Sequence, residues 1–224
     1  MQGKFVLITG GFGVLGRAVA KLAAEQGARV AIIDHAASGE APPGAIVQGG
    51  VDLTDPSDAA RAVNAARATG GPLHALFNIA GGFSWQSIAD GDIEGWERMF
   101  AINLKTAVNT SKAALPHLLE TGGAIVNVGA AGALKASGGM GAYAASKAGV
   151  HKLTESLAEE AKGRVRVNAV LPSIIDTEQN RTSMPKADPD AWVQPESLAA
   201  VMLFLASDRA RDITGALVPV TGRI

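Results

Sequence analysis

Tyr143, the chain's only tyrosine, lies four residues before Lys147 in the stretch VGAAGALKASGGMGAYAASK at 128–147. On a helix, residues four apart share a face, so the phenol and the ammonium group would lie side by side. A nearby positive charge favours the phenolate and brings the tyrosine pKa down from ~10 towards working pH, which suits proton transfer. Such a pair is more often ordinary surface decoration, so the surrounding elements decide whether it is catalytic.

A glycine-rich turn, TGGFGVLG at 9–16, directly follows the first predicted strand and opens the first predicted helix. Glycine permits the tight turn and a close approach of the backbone to a pyrophosphate, while the helix N-terminus attracts the anion. The sequence therefore predicts a dinucleotide site whose phosphate-binding residues are Gly10, Gly13, Val14, Leu15 and Gly16.

An acidic residue, Asp34, ends the second predicted strand 18 residues after Gly16. A carboxylate in this place accepts hydrogen bonds from both ribose hydroxyls and repels a 2′-phosphate. The pattern favours NAD(H) as the cofactor. Arg17 softens this preference, so NADP(H) stays open as the alternative.

Short apolar runs rich in β-branched residues alternate with longer alanine-rich segments of helical period. Strands are predicted at 4–9, 28–34, 45–49, 73–78, 124–129, 164–171 and 216–220. Helices are predicted near 14–26, 56–69, 94–119, 142–162 and 195–207, with Asp55 and Pro56 typical of a helix start. This order predicts a single-domain α/β Rossmann fold over 1–224, a doubly wound parallel sheet flanked by helices. The polar segment 176–192 is predicted to be a long functional loop.

Composition argues against several classes of protein. The 224 residues carry a formal net charge of −1 with Lys and Arg scattered, which is untypical of a nucleic-acid surface. The chain has no cysteine and no apolar run long enough to span a membrane, and its four histidines lack metal-ligand spacing. We therefore expect a cytoplasmic protein with no metal site, no nucleic-acid partner and no membrane association.

Taken in order, these pieces resemble the short-chain dehydrogenase/reductase family over essentially the whole chain. The resemblance rests on TGGFGVLG, VDLTD (51–55), FNIAGG (77–82), FAINLKTAV (100–108), YAASK (143–147), VNAVLPSIIDT (167–177) and ITGALVPVTG (213–222). It implies three groups of cofactor-binding residues. Asp52 and Leu53 hold the adenine, and Asn78, Ala80 and Gly81 line the cofactor cleft. Pro172, Ile175 and Thr177 hold the nicotinamide carboxamide. It also implies that Tyr143 is the general acid, that Lys147 binds the nicotinamide ribose and lowers the tyrosine pKa, and that Asn103 supports a water beside the lysine.

The same resemblance implies a serine 13 residues before the tyrosine, where this chain has Ala130. Ser137 and Ser173 lie elsewhere in the sequence and are not obvious substitutes. That serine hydrogen-bonds the substrate oxygen as it becomes an alkoxide, and losing such a donor typically costs on the order of 10²–10³ in rate. Ala130 therefore indicates a substrate that needs little oxyanion stabilisation.

The frame NR-x-SMP-x-AD-x(3)-W at 180–192 is similar to the quinoid dihydropteridine reductases, a branch that has no serine and prefers NADH. This resemblance implies reduction of a quinonoid dihydropterin, or a similar planar conjugated imine or quinone, by hydride transfer with Tyr143 as proton donor. The predicted substrate-binding residues are Phe83, Trp85, Ala130, Asn180 and Met184. Phe83 and Trp85 are interpreted either as aromatic walls for a flat ring or as packing at the mouth of the cleft.

Two other functions remain open at this point. One is a carbonyl reductase or alcohol dehydrogenase acting on a ketone or secondary alcohol. The other is a non-catalytic dinucleotide-binding protein that lost its serine. In either case, the long helices near 94–119 and 142–162 carry apolar or small residues on more than one face, which favours a homodimer or homotetramer formed through them.

Overall fold

A computed structural model describes residues 1–223 as seven parallel strands in one sheet, flanked by helices. The strands are β1 Phe5–Thr9, β2 Arg29–Ile33, β3 Ile46–Gln48, β4 Leu73–Asn78, β5 Ala124–Val128, β6 Arg166–Pro172 and β7 Leu217–Val220. Their order across the sheet is β3-β2-β1-β4-β5-β6-β7, so the winding direction reverses between β1 and β4. The predicted α/β fold with a doubly wound parallel sheet is confirmed, and its crevice lies at that reversal.

Helices cover both faces of the sheet. They are α1 Val14–Glu25, α2 Pro56–Gly70, α3 Ile93–Phe100, α4 Thr106–Thr121, α5 Gly141–Glu160, α6 Glu178–Ser183 and α7 Pro195–Ala206. Side chains alternate between the faces along β1: Val6 and Ile8 pack with α1 and α7, whereas Phe5 and Leu7 pack with α2, α4 and α5. Because both faces are buried, the central strands read as apolar throughout, which is why the sequence predicted them well.

The helix predicted near 94–119 contains a change of geometry. A π-helical turn, Ala101–Lys105, separates α3 from α4 without interrupting the helical path. Such turns insert one residue into the helical ladder and are frequent at functional sites. Here the turn places Asn103, which is 1% exposed, in the interior between α3 and α5.

The segment 176–192 is more regular than the long loop predicted from its composition. It contains helix α6 and a short 3₁₀ turn, Pro189–Ala191. Thr177 caps α6 by accepting a hydrogen bond from the Asn180 amide at 3.1 Å. Ile175 and Val193 pair as an isolated parallel bridge, so the two ends of the segment are tied together.

Within residues 1–223, no helix is both long enough and apolar enough to cross a bilayer.

Candidate active site

The glycine turn packs so closely that side chains would not fit. Gly10 has φ +66°, and a Cβ built on it would lie 2.9 Å from the backbone nitrogen and Cα of Ala80. A Cβ on Gly16 would collide with the carbonyl oxygen of Gly10. Gly13 is the N-cap of α1 and offers no capping side chain, so the first-turn amides of the helix stay available to an anion. The turn therefore fits a dinucleotide pyrophosphate.

A cleft of about 740 Å³ runs from this turn across the carboxyl ends of the strands. Many residues predicted to bind the cofactor line it: Gly10, Gly13, Val14, Leu15, Gly16, Asp34, Asp52, Leu53, Ala80, Gly81, Ile175 and Thr177. Other residues that line the cleft were not predicted from the sequence: His35, Val51, Thr54, Ile79, Ile102, Thr106, Glu178 and Gln179. His35 directly follows Asp34, and Thr54 directly follows the predicted pair Asp52 and Leu53. Their position beside predicted cofactor residues could have identified them. Ile102 and Thr106 line the cleft because of the π-helical turn, and the sequence alone does not predict that turn.

Asp34 is held by the backbone on both sides. Its Oδ2 accepts from the Phe12 amide and its Oδ1 from the Ala36 amide, each at 2.9 Å. Each carboxylate oxygen keeps a further lone pair for a hydroxyl in the cleft. Arg17 donates to the Phe12 carbonyl at 3.1 Å and lies 4.0 Å from Glu40. The arginine is thus occupied by groups of the protein.

The ends of β1 and β4 are joined by Thr9, a residue that sequence reasoning did not single out. Its hydroxyl accepts from the amides of Ile79 and Ala80 at 3.1 and 3.2 Å, and donates to the Phe77 carbonyl at 3.4 Å. The threonine therefore fixes the segment after β4 at the cleft floor.

Lys147 lies on α5 and is 5% exposed. Its Nζ donates to the Val128 carbonyl at 2.8 Å. A Cβ built on Gly81 would be 3.5 Å from this Nζ, so the ammonium group lies behind a backbone segment that lines the cleft. Burial lowers the pKa of Lys147 to about 8.

Tyr143 lies one helical turn before Lys147, with the Phe83 ring edge-on to its own at 5.0 Å between centroids and 77° between planes. Burial raises the pKa of Tyr143 to about 12. The loss of solvent disfavours the phenolate, and the lowering predicted for the site with an oxidised nicotinamide beside the lysine stays a prediction. In the protein alone the phenol is protonated at neutral pH and can donate.

Asn103 is a structural link between α5 and the strand-end segments. Its Oδ1 accepts from the Gly82 amide at 2.9 Å, and its Nδ2 donates to the Gly82 carbonyl at 3.1 Å and the Ser146 hydroxyl at 3.0 Å. The sequence analysis expected this side chain to support a water beside the lysine. That role stays a prediction; in the structure the side chain is bonded to Gly82 and Ser146, next to Gly81 and the Lys147 ammonium group.

Two predicted cofactor residues are turned away from the cleft. The Nδ2 of Asn78 donates to the Ser111 hydroxyl at 2.9 Å and to Asn127 Oδ1 at 2.8 Å, while its Oδ1 accepts from Thr110 at 2.6 Å. This buried polar network links β4, β5 and α4, since buried amides must be satisfied. Pro172 is the buried last residue of β6 and supports the segment that enters the cleft.

Two predicted substrate residues after β4 have different surroundings. Phe83 is 57% exposed beside Tyr143, so it can face a substrate. The Trp85 indole donates to the Gly138 carbonyl at 3.1 Å and lies against Gly139, although it is 63% exposed. Trp85 thus fastens the segment after β4 to the turn before α5.

The conspicuous residues of the 180–192 frame hold their own loop together. Asn180 Nδ2 donates to the Ile175 carbonyl at 2.8 Å. Arg181 makes a two-point ion pair with Asp176, both contacts at 2.7 Å. Met184 ends α6, its amide donating to the Asn180 carbonyl at 2.9 Å. The frame therefore contributes to the geometry of its own loop, and the contact of Asn180 and Met184 with a substrate stays a prediction.

Ala130 is 3% exposed at the end of β5, and its amide points to His151 Nε2 at 3.3 Å. No hydroxyl is present where the family resemblance implies one. Among residues 1–223, no cluster of three or more His, Asp or Glu side chains could hold a metal ion.

A family model described as Enoyl-(Acyl carrier protein) reductase matches residues 13–222. The chain is 34% identical to 2-(S)-hydroxypropyl-CoM dehydrogenase 3 of Xanthobacter autotrophicus over 99% of its own length and 96% of that protein. These matches support the family but do not point to the dihydropteridine reductase branch.

Solved structures agree with the sequence relatives. A short-chain type dehydrogenase/reductase from Mycobacterium ulcerans superposes with a TM-score of 0.91 at 28% identity, covering 100% of this chain and 90% of that one. A 3-ketoacyl-(acyl-carrier-protein) reductase from Brucella melitensis, complexed with NADH, has a TM-score of 0.87 at 28% identity and covers 100% and 99% of the two chains. The chain therefore belongs to the short-chain dehydrogenase/reductase family of NAD(P)-dependent oxidoreductases.

Proposed function

We propose that this protein is an NAD(H)-dependent oxidoreductase that interconverts a small carbonyl compound and its alcohol at Tyr143. The observation that carries the proposal is that Tyr143 and Lys147 lie one turn apart on α5, with the Lys147 ammonium group close to Gly81, a residue that lines the cleft beginning at the glycine turn. The names of the Xanthobacter dehydrogenase and the Brucella ketoacyl reductase support this substrate class, since one describes the oxidation of an alcohol and the other the reduction of a ketone.

Different residues of the chain bind the cofactor and transfer the proton. Gly10, Gly13 and Gly16 let the pyrophosphate approach the start of α1, and Asp34 accepts from the ribose hydroxyls. A bound nicotinamide cofactor supplies or accepts the hydride. Lys147 binds the adjacent ribose, and Tyr143 donates the proton that the reduced oxygen needs. Nicotinamide bearing positive charge favours the phenolate, which offsets the effect of burial on the Tyr143 pKa when the reaction runs towards oxidation.

A second candidate is the reduction of a quinonoid dihydropterin or a similar planar conjugated imine or quinone. The observation that favours it is residue 130, which offers a substrate neither a hydroxyl nor a free amide, because the amide is bonded to His151. A conjugated imine that gains aromatic-like stability on reduction needs less oxyanion stabilisation than a ketone. Phe83, exposed beside Tyr143, suits a flat ring.

The cofactor preference is tested by Asp34→Asn. Removing the negative charge removes repulsion of a 2′-phosphate, so we expect the ratio of kcat/KM for NADPH to that for NADH to rise at least about tenfold. The ratio is the proper measure, because asparagine has one acceptor oxygen and can keep only one of the bonds from the Phe12 and Ala36 amides, which lowers both values together. An unchanged ratio would show that Asp34 does not select the cofactor.

Tyr143→Phe tests the proton donor. The variant keeps the ring beside Phe83, so NADH binding followed by nucleotide fluorescence should change less than about threefold, whereas kcat should fall by roughly 10²–10⁴. Turnover equal to that of the unmodified protein would refute the assignment of Tyr143 as proton donor.

Ala130→Ser separates the two substrate classes. A hydroxyl at this position stabilises an alkoxide, so ketone reduction should rise about tenfold or more if ketones are the substrate. Reduction of quinonoid dihydropterin generated in situ should stay level or fall. Ala131→Ser, which places the hydroxyl one residue away, is the matched control. Absence of pterin turnover above the uncatalysed rate in the unmodified protein would remove the second candidate.

We also propose that the chain assembles through the helices spanning 93–121 and 141–160. Ile93, Phe100 and Val108 are 66, 54 and 39% exposed along the first of these, although they are apolar. Phe100→Asp should shift the sedimentation mass towards a single chain, whereas Val47→Asp on the sheet edge, at a valine 44% exposed, should not. A single-chain mass for the unmodified protein would contradict the proposal.

A further inference from the structure

His151 is a buried titratable residue that the chemistry above does not use. It lies four residues after Lys147 on α5 and is 4% exposed. Residues four apart on a helix share a face, so both side chains point at the end of β5. There the Lys147 ammonium donates to the Val128 carbonyl at 2.8 Å, and the Ala130 amide donates to His151 Nε2 at 3.3 Å.

The peptide between these two contacts is packed tightly against the imidazole. A Cβ built on Gly129 would lie 2.5 Å from His151 Nε2 and 2.7 Å from its Cδ2. The Gly129 amide donates to the Val170 carbonyl at 2.9 Å, which holds the other side of the strand end. Successive backbone groups at 128, 129 and 130 are therefore held by the lysine, by β6 and by the histidine.

We propose that His151 is a positioning residue for the reaction at Tyr143: its neutral imidazole accepts the Ala130 amide and, together with Lys147, holds residues 128–130 as the floor of the substrate pocket. An acceptor at Nε2 requires the tautomer that carries its proton on Nδ1. Protonation turns both ring nitrogens into donors, so the Ala130 amide loses its partner. The same event places a second positive charge beside Lys147. The role of His151 in catalysis rests on the function proposed above.

The charges around the ring are few. Burial lowers the pKa of His151 below its ordinary 6.5; Glu155 opposes this effect, and Lys147 and Lys152 add to it. Those three groups lie on α5 itself. The charged side chains of the elements packed against α5 are exposed or bonded elsewhere: Glu94, Glu97 and Arg98 of α3, Lys105 of the π-helical turn, Lys135, and Arg166 of β6. The switch to the charged ring is therefore expected on the acid side of neutrality.

A direct test uses nuclear magnetic resonance of the ¹⁵N-labelled protein and needs no substrate. The Ala130 amide cross-peak should move between about pH 8 and 4.5 in one titration whose midpoint lies below the ordinary histidine value. In His151→Gln, whose amide oxygen replaces Nε2 as acceptor without titrating, this movement should vanish. Thr154→Val is the matched control: Thr154 is a buried polar residue of the same helix that bonds Asn127 instead. It should keep the titration.

Kinetics then test the positioning role. We expect kcat to fall about tenfold in His151→Leu with KM for NADH nearly unchanged, because a buried amide is left without an acceptor. His151→Gln should restore kcat to within about threefold and lose the acid-side decline of the unmodified enzyme. A purely structural role would instead lower the melting temperature of both variants and leave the pH profile in place.

Two results would overturn the inference. One is an Ala130 amide signal that titrates identically in His151→Gln and the unmodified protein. The other is a kcat for His151→Leu equal to that of the unmodified enzyme. If the amide titrates as expected but no substrate is turned over, the contact stands and the proposed function falls, so the two failures are distinguishable.

Discussion

The site depends on one unfavourable placement, the buried ammonium group of Lys147. Burial lowers its pKa from 10.5 to about 8, so the unfolded chain binds this proton more tightly than the folded one. The residue therefore costs stability below pH 8, and the cost disappears as pH rises above the unfolded value. The hydrogen bond to the Val128 carbonyl offsets part of it. A protein keeps such a charge where a ligand uses it, and the inner end of the cofactor cleft is such a place.

Buried polar side chains hold the backbone on both sides of this lysine. Asn103, turned inward by the π-helical turn, binds Gly82 and leaves room only for glycine at position 81 above the ammonium group. His151, one helical turn beyond the lysine, accepts from the Ala130 amide two residues after the end of β5. The reversal of strand order between β1 and β4 opens the crevice, and these groups lie behind the backbone segments at its edge. The geometry around Lys147 thus comes from backbone groups held by buried polar side chains.

The strands and the main helices were predictable because their signals are local. A strand buried on both faces is apolar throughout, and Asp55 with Pro56 marks a helix start that the structure confirms through bonds from Asp55 to the Ser57 and Asp58 amides. The π-helical turn was missed because one inserted residue barely changes helical periodicity. Helix α6 was missed because it is six residues long and polar, and it depends on Thr177 as its cap. The hydrogen bonds of Asn78, Trp85 and Asn180 within the protein were not predicted, because their partners are distant in sequence or belong to their own loop.

The sequence by itself determined the alternating α/β order, the glycine turn with Asp34, and the pairing of Tyr143 with Lys147, because spacing along one strand or helix dictates each of them. Only the tertiary structure decided which polar groups face the cleft and which are consumed by the protein. It also showed that the Tyr143 phenol is buried, and burial by itself raises the pKa of this group. The burial of Tyr143 depends on contacts with residues that are distant in sequence, such as the Phe83 ring, and no local pattern of residues predicts it.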